Sequence, residues 1–311
     1  MGEIKVYKKI NAVNPVMIAG WPGMGNVALG VVEYLKKKLK TAVKFCEIRI
    51  DKLSLLDSVI VEGGVAAIPE APKNTFYHYP QREGKNPDII IFEGEAQLPG
   101  EAGVVLLNEV LDVAVKYKPS RIYTGAAFAL PISHKEPSEL YAAVNNESLK
   151  NVFAPYEVKL MEEGHISGLN GLMLGFANER AIEAVCLLAT MPQYAISLPN
   201  PKASSAIIEV LQKILNFEID LRELDEFTKE MDEKMAAIED KVKDVFTVEK
   251  EEKESRPPEK KIPAYVTERI ENLFREAKTD KSRAVTLKNE LDRWDLYKLY
   301  EDRFLDLFKE P

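Results

Sequence analysis

The sequence predicts an α/β protein, with a mostly parallel sheet covered by helices on both faces and a C-terminal helical region after it. Three observations lead there. Short, nearly all-apolar runs alternate with stretches of helical periodicity, the pattern of strands buried on both sides. Glycine is confined to the first 217 residues. Beyond them the chain is dense in Asp, Glu, Lys and Arg, and its apolar residues recur at three- and four-residue steps.

Taken in order, PVMIAG (15–20) is the first strand, and Asn26–Leu39 follows as a helix with Val27, Val31, Tyr34, Leu35 and Leu39 on one side. VKFCEIRI (43–50), NTFYHYP (74–80) and DIIIFEG (88–94) are the next strands. Glu101–Tyr117 carries Val105, Val110, Leu111 and Val113 at helical spacing, and Pro119 marks its end. SRIYTGAA (120–127) and AVCLLAT (184–190) are strands, and Ala203–Leu215 is a helix with Ile207, Ile208, Leu211 and Ile214. The composition break places a domain boundary between 217 and 218, giving an α/β core over 1–217 and a helical extension over 218–311. In the extension, Leu224, Met231, Met235, Ile238, Val242 and Val245 form a coiled-coil-like stripe. It is expected to stop at EKEEKESRPPEKKIP (249–263), a charged linker with two adjacent prolines. The aromatic-rich region 264–308 is expected to dock on the core, on its own helix or on a neighbouring subunit.

Composition excludes several classes. The 311 residues hold 42 Lys+Arg against 50 Asp+Glu, a net charge of -8, whereas a general nucleic-acid binder needs a basic stripe. The start, MGEIKVYKK, lacks the apolar stretch of a secretory leader, and no uncharged apolar run reaches the ~20 residues of a membrane span. The expectation is a soluble, cytoplasmic protein, with a Glu- and Lys-rich composition compatible with a thermophile. Cys46 and Cys186 both lie in apolar runs and read as buried, reduced thiols. Two distant cysteines and three histidines build no zinc pattern, so no metal is expected.

Three stretches could carry chemistry. AGWPGMGN (19–26) joins a strand to a helix, and Gly20, Gly23 and Gly25 permit positive φ or close approach of a ligand to backbone N–H groups. With Asn26 at the helix start, the turn serves either tight strand-to-helix packing or a small anionic or nucleotide-like ligand. Its Gly-x-x-Gly-x-Gly spacing is neither the dinucleotide fingerprint nor a P-loop. FEGEAQLPG (92–100) places Glu93 and Glu95 at a strand's carboxyl end, where α/β sheets hold ligands. TGAAFALPISHKEP (124–137) does the same with His134. These loops share one sheet edge, so Gly23, Gly25, Asn26, Glu95 and His134 are expected to border one cavity. No Gly-x-Ser-x-Gly elbow is present, and no cofactor is implied.

Together these segments resemble the proteasome-assembly-chaperone-two-like family over about residues 12–217. The resemblance rests on GWPGMGN, GEAQ (94–97), TGAAFALPISHKEP, GHISGLNGLMLGFA (164–177), AVCLLATMPQY (184–194) and PNPKASSAIIEVLQKIL (199–215) in that order. It implies a three-layer αβα core similar to nucleoside-phosphorylase folds, homo-oligomers, and, for archaeal relatives, a role as chaperones of proteasome assembly. The family also carries an ATP-grasp superfamily label, although this sequence shows no ATP-grasp set of nucleotide lysine and metal carboxylates. Relatives that dock on the proteasome end in hydrophobic–Tyr–any; here Glu310 stands where Tyr is needed, so a proteasome subunit or another assembly protein would be bound by another route. Two readings stay open. One is an oligomeric protein-binding scaffold without catalytic activity. The other is an enzyme or small-ligand binder using the sheet-end pocket.

Overall fold

The computed structural model describes residues 2–50, 59–81, 86–255, 264–294 and 296–308, with side chains between 240 and 264 left aside. Its strands are β1 (Glu3–Val6), β2 (Val16–Gly20), β3 (Val43–Arg49), β4 (Ile60–Glu62), β5 (Val65–Ala67), β6 (Lys73–Tyr79), β7 (Ile89–Gly94), β8 (Arg121–Leu130), β9 (Leu140–Val144), β10 (Lys159–Leu160) and β11 (Ala184–Pro192). The helices are α1 (Val27–Lys38), α2 (Gly100–Tyr117), α3 (Leu169–Glu179), α4 (Pro201–Leu215), α5 (Arg222–Ser255), α6 (Ala264–Thr279), α7 (Ala284–Arg293) and α8 (Tyr297–Leu305).

A nine-stranded sheet runs β1-β3-β6-β7-β2-β8-β11-β9-β10. Its centre, β7-β2-β8-β11, is parallel, as helix-bearing crossovers require. The flanks turn antiparallel at β6, β3, β1 and β9. The short link from β6 to β7 cannot return the chain to the same end of the sheet, so that pair is antiparallel. β4 and β5 pair with each other in a separate two-stranded sheet.

Alternation along the central strands explains the three layers. Val16 and Ile18 of β2, with Ile89 and Ile91 of β7, pack under α1 and α4 against Val31, Leu35, Ile207 and Leu211. Their neighbours Met17, Ala19, Ile90 and Phe92 face the other way, against Leu107 and Val110 of α2 and Met173 of α3. Apolar surface of this kind contributes roughly 25 cal/mol per Å² removed from water. Cys46 and Cys186 are free and buried, and burial pushes the Cys186 thiol up to about 12.

The chain divides into two compact units, Met1–Asp244 and Val245–Pro311. The composition break at 217/218 falls inside the first. Leu224 joins the α1–α4 core, and Met231 and Met235 close over Ala195, so the first half of α5 belongs to the α/β unit despite its charged surface. The helix runs on to Ser255, past the stop expected at 249, and 256–263 lie outside the described residues. The second unit has its own core of Val266, Ile270, Phe274, Leu287, Leu291 and Phe304. The aromatic tail packs within that unit: Phe274 against Tyr300, Tyr297 against Phe304, and Tyr265 edge-on to Trp294.

Candidate functional site

β2 ends at Gly20, and the turn that follows is held by side-chain amides from distant parts of the chain. The backbone of Trp21 is clamped on both sides by one residue: its N–H donates to Asn170 Oδ1 (3.0 Å), and Asn170 Nδ2 donates to its carbonyl (3.1 Å). Gln97 Nε2 donates to Pro22 O (2.8 Å), while Gln97 Oε1 accepts from Leu169 N–H at the start of α3 (3.0 Å). Gly25 N–H donates to Ile196 O, and Asn200 N–H returns a bond to Gly25 O, both at 2.8 Å. Asn200 also caps α4 through its side chain. Asn26 N–H donates to Gly23 O, and Val27 N–H to Met24 O.

The glycines divide by role. Gly25 has φ +61, and a Cβ there would lie 2.8 Å from Met191 Sδ. Asn26, in the same left-handed region at φ 47, completes the turn into α1. Gly20 is needed for close approach, since a Cβ on it would meet the carbonyl oxygen of Ala28 at 2.4 Å. Gly23 is extended at φ -172, with only Asn170 Nδ2 at 3.8 Å, so neither strain nor crowding demands glycine there.

The N–H groups of Gly25, Asn26 and Val27 all have protein partners. Those three donors are not free for a phosphate, which needs N–H groups pointing at it. The nearby charge is also of the wrong sign. Glu33, Glu93 and Glu95 stand close enough that burial, with the repulsion of the other two, raises the Glu33 carboxyl, while Lys36 Nζ reaches Glu93 at 2.5 Å. Burial and Glu93 together push the Tyr77 hydroxyl up to about 12.

Glu95 and His134 each have partners of their own. Glu95 is exposed and ties the strand end to β6, its Oε2 accepting from Lys73 N–H (2.8 Å). His134 is buried beneath α5. Its Nδ1 lies 2.6 Å from Glu239 Oε2, which also accepts from Tyr194 OH (2.6 Å), and Ser133 Oγ donates to the same carboxylate (2.9 Å). Lys202 Nζ donates to His134 O and pairs with Asp232 (3.0 Å). The segment 193–200 is the link between the two places: Tyr194 meets His134, while Ile196 and Asn200 hold Gly25. His134 thereby fastens α5 to the α/β core.

Sequence reasoning missed the residues that organise this edge: Gln97, Asn170, Asn200, Tyr194 and Glu239. Gln97, Asn170 and Asn200 do carry a legible signal, being amides with Gly or Pro within three residues of them in the sequence. A cavity of about 1290 Å³ opens at the opposite edge, by the amino ends of β2 and β7, around Lys8, Asn11, His78, Gln81, Asp88 and Asn216. There Asp88 holds His78 Nε2 (3.0 Å) and the N–H groups of Val13 and Gln81. None of the residues expected from sequence lines it. Among the described residues no group of three or more His, Cys, Asp or Glu could hold a metal ion, and no helix is long and apolar enough to cross a membrane.

Comparison with known proteins adds the following. The sequence pattern of the PAC2 family matches residues 17–239. The crystal structure of PbaB from Pyrococcus furiosus, described as an archaeal proteasome activator, is 28% identical with a TM-score of 0.65, the match covering 76% of this chain and 98% of that one. An uncharacterized protein of Methanocaldococcus jannaschii, MJ1210, is 26% identical over 237 residues, covering 73% of this chain and 86% of its own. PbaA of Pyrococcus furiosus, described as an archaeal homolog of proteasome-assembly chaperone, aligns at 21% identity and a TM-score of 0.58 over 76% of this chain and 97% of that one, a likeness of fold alone. These matches bear out the family resemblance and give no support to the ATP-grasp label.

Proposed function

The chain belongs to the PAC2 family, and on that premise we propose that it is a homo-oligomeric, non-catalytic docking protein of the cytoplasm that binds proteasome subunits or a protein of their assembly. The observation that carries this reading is the self-satisfied carboxyl edge of the sheet. Gln97 and Asn170 bond the carbonyls of Pro22 and Trp21, the Asn200 N–H bonds that of Gly25, and His134 is committed to Glu239. The partner class rests on the likeness to PbaB across nearly all of that chain. A ligand held by Gly20, Gly23, Gly25, Asn26, Glu95 and His134 is disfavoured by the occupied N–H groups and by the separate anchoring of Glu95 and His134.

The test mixes the full-length chain with proteasome α and β subunits of the same source at micromolar concentration, read by native gel and by yield of assembled particle. A co-migrating complex or a changed yield is expected. No complex and no change overturns the reading. Calorimetry with phosphate, AMP, ATP and nucleosides is expected to give no heat, and saturable heat abolished by Gly25→Val would favour a ligand site instead.

A further inference from the structure

Asn170 and Gly171 form the one Asn-Gly pair of the chain. Asparagine followed by glycine is the pair most open to deamidation, because glycine has no side chain to shield its backbone nitrogen from the amide. Packing demands both residues. Asn170 holds the N–H and the carbonyl of Trp21, at 3.0 and 3.1 Å. A Cβ on Gly171 would lie 2.2 Å from Ile166 O, so no larger residue fits there. Two independent demands at neighbouring positions thus put a chemically labile pair at the start of α3. The folded chain shields that pair. Asn170 is only 4% exposed. Gly171 N–H donates to Gly168 O at 3.2 Å, and Thr124 Oγ1 donates to Asn170 O at 2.9 Å. Attack by the Gly171 nitrogen on Asn170 Cγ needs the side chain turned away from Trp21 and the intervening peptide unit rotated. The two bonds to Trp21, the bond to Gly168 and the bond from Thr124 all oppose those rotations.

We propose that Asn170 is a modification site exposed by local opening of the glycine turn: the released amide deamidates, and the product cannot close the turn again. In the first step a bond forms between Gly171 N and Asn170 Cγ, and the bond from Cγ to Nδ2 breaks. The Gly171 proton reaches the departing nitrogen through water, and ammonia leaves a cyclic imide. Water then adds to either imide carbonyl and breaks its bond to the ring nitrogen, giving Asp or its β-linked isomer. An Asp carboxylate has no N–H to donate to Trp21 O and sets an acceptor against that carbonyl. The β-linked isomer lengthens the main chain by one methylene between Gly168 and Leu172, whose hydrogen bond closes the first turn of α3. Either product removes the clamp on Trp21, so an opening that leads to reaction is not reversed.

The test ages the full-length chain at one temperature and one mildly alkaline pH, folded in buffer and unfolded in urea, and follows Asn170 by peptide mapping with mass spectrometry. Conversion is expected at least about a hundredfold more slowly in the folded chain, because only the opened fraction reacts. Equal rates overturn the shielding, and no conversion in urea overturns the site. Gln97→Ala frees Pro22 and Leu169 without altering Asn170, and should raise the folded rate about tenfold. If that variant fails to fold by circular dichroism, Thr124→Val repeats the measurement by removing the bond to Asn170 O. A folded variant that converts at the wild-type rate overturns the turn as the gate. Chains deamidated in urea are then returned to buffer. They are expected to unfold at a lower urea concentration than chains that kept Asn170. An equal midpoint overturns the claim that the product cannot close the turn.

Discussion

The glycine turn at 20–26 and the hairpin at 59–68 are opposites. The turn looks like chemistry in the sequence, yet its backbone groups meet partners inside the fold. The hairpin looks like ordinary β-sequence, yet its branched side chains stay about half or more exposed. A segment's chemical appearance therefore says little about where a molecule is unsatisfied. What counts is whether its donors, acceptors and apolar area find partners after folding, and by that measure the hairpin points outward and the turn points inward.

The contrast can be broken most forcefully at Gly25. Gly25→Val puts a β-branched side chain at φ +61 against Met191 and Asn200, and should cost about 2–4 kcal/mol. Thermal unfolding should shift down by about 5–10 °C for a unit of this size; an unchanged midpoint would mean that the turn is not built as described. Next comes Asn170→Ala. It strips both backbone partners from Trp21 and should cost about 2–3 kcal/mol, measured by urea denaturation. A loss below about 0.5 kcal/mol would show that water replaces the amide freely.

A smaller effect is expected in alkali. Burial and Glu93 raise Tyr77 above its usual value, to about 12. The unfolded chain loses this proton near pH 10 and the folded chain only near 12, so the stabilisation is fully present below pH 10 and fades as pH rises through 12. Tyr77→Phe should flatten the stability profile in that window, and an unaltered slope would count against Tyr77 as its source. Smallest of all is Gly23→Ala. Its backbone is extended and its surroundings open, so stability should move by less than about 0.5 kcal/mol. A large loss would restore the idea that the second glycine of the motif is structurally demanded. Set beside these, Val65→Lys should leave unfolding nearly unchanged at a concentration where wild type is a single chain, because the residue it replaces is 70% exposed.

Much of the α/β framework was legible. The runs at 15–20, 43–50, 74–80, 88–94, 120–127 and 184–190 became β2, β3, β6, β7, β8 and β11, and the three periodic stretches became α1, α2 and α4. Fully buried strands announce themselves by apolar runs, as in Ile89–Phe92, because both faces must be dry. α3 escaped notice because Gly171 and Gly175 interrupt its helical signal. β9 escaped because Leu-Tyr-Ala-Ala-Val is short and half-covered at the sheet flank. For the expected shared cavity of Gly25, Glu95 and His134, the sequence names the loops but not the bonds their residues make with Ile196, Lys73 and Glu239. Topology brings loops to one edge, but it does not say that the space between them stays empty.

By itself the sequence determined which residues are dry, because burial follows from local alternation and helical spacing along a few turns of chain. It also offered Gly20, Gly23 and Gly25 as places for positive φ or close approach, of which only Gly25 takes up positive φ. Tertiary structure alone decided whether that turn is a binding site. Its partners lie far away in the chain, Trp21 with Asn170 and Gly25 with Ile196, and a hydrogen bond between distant residues exists only once the fold has brought donor and acceptor within about 3 Å. The same holds for the hairpin: an apolar strand is written in the sequence, but only the folded chain shows that Val59, Ile60, Val61, Val65 and Ile68 stay about half or more exposed.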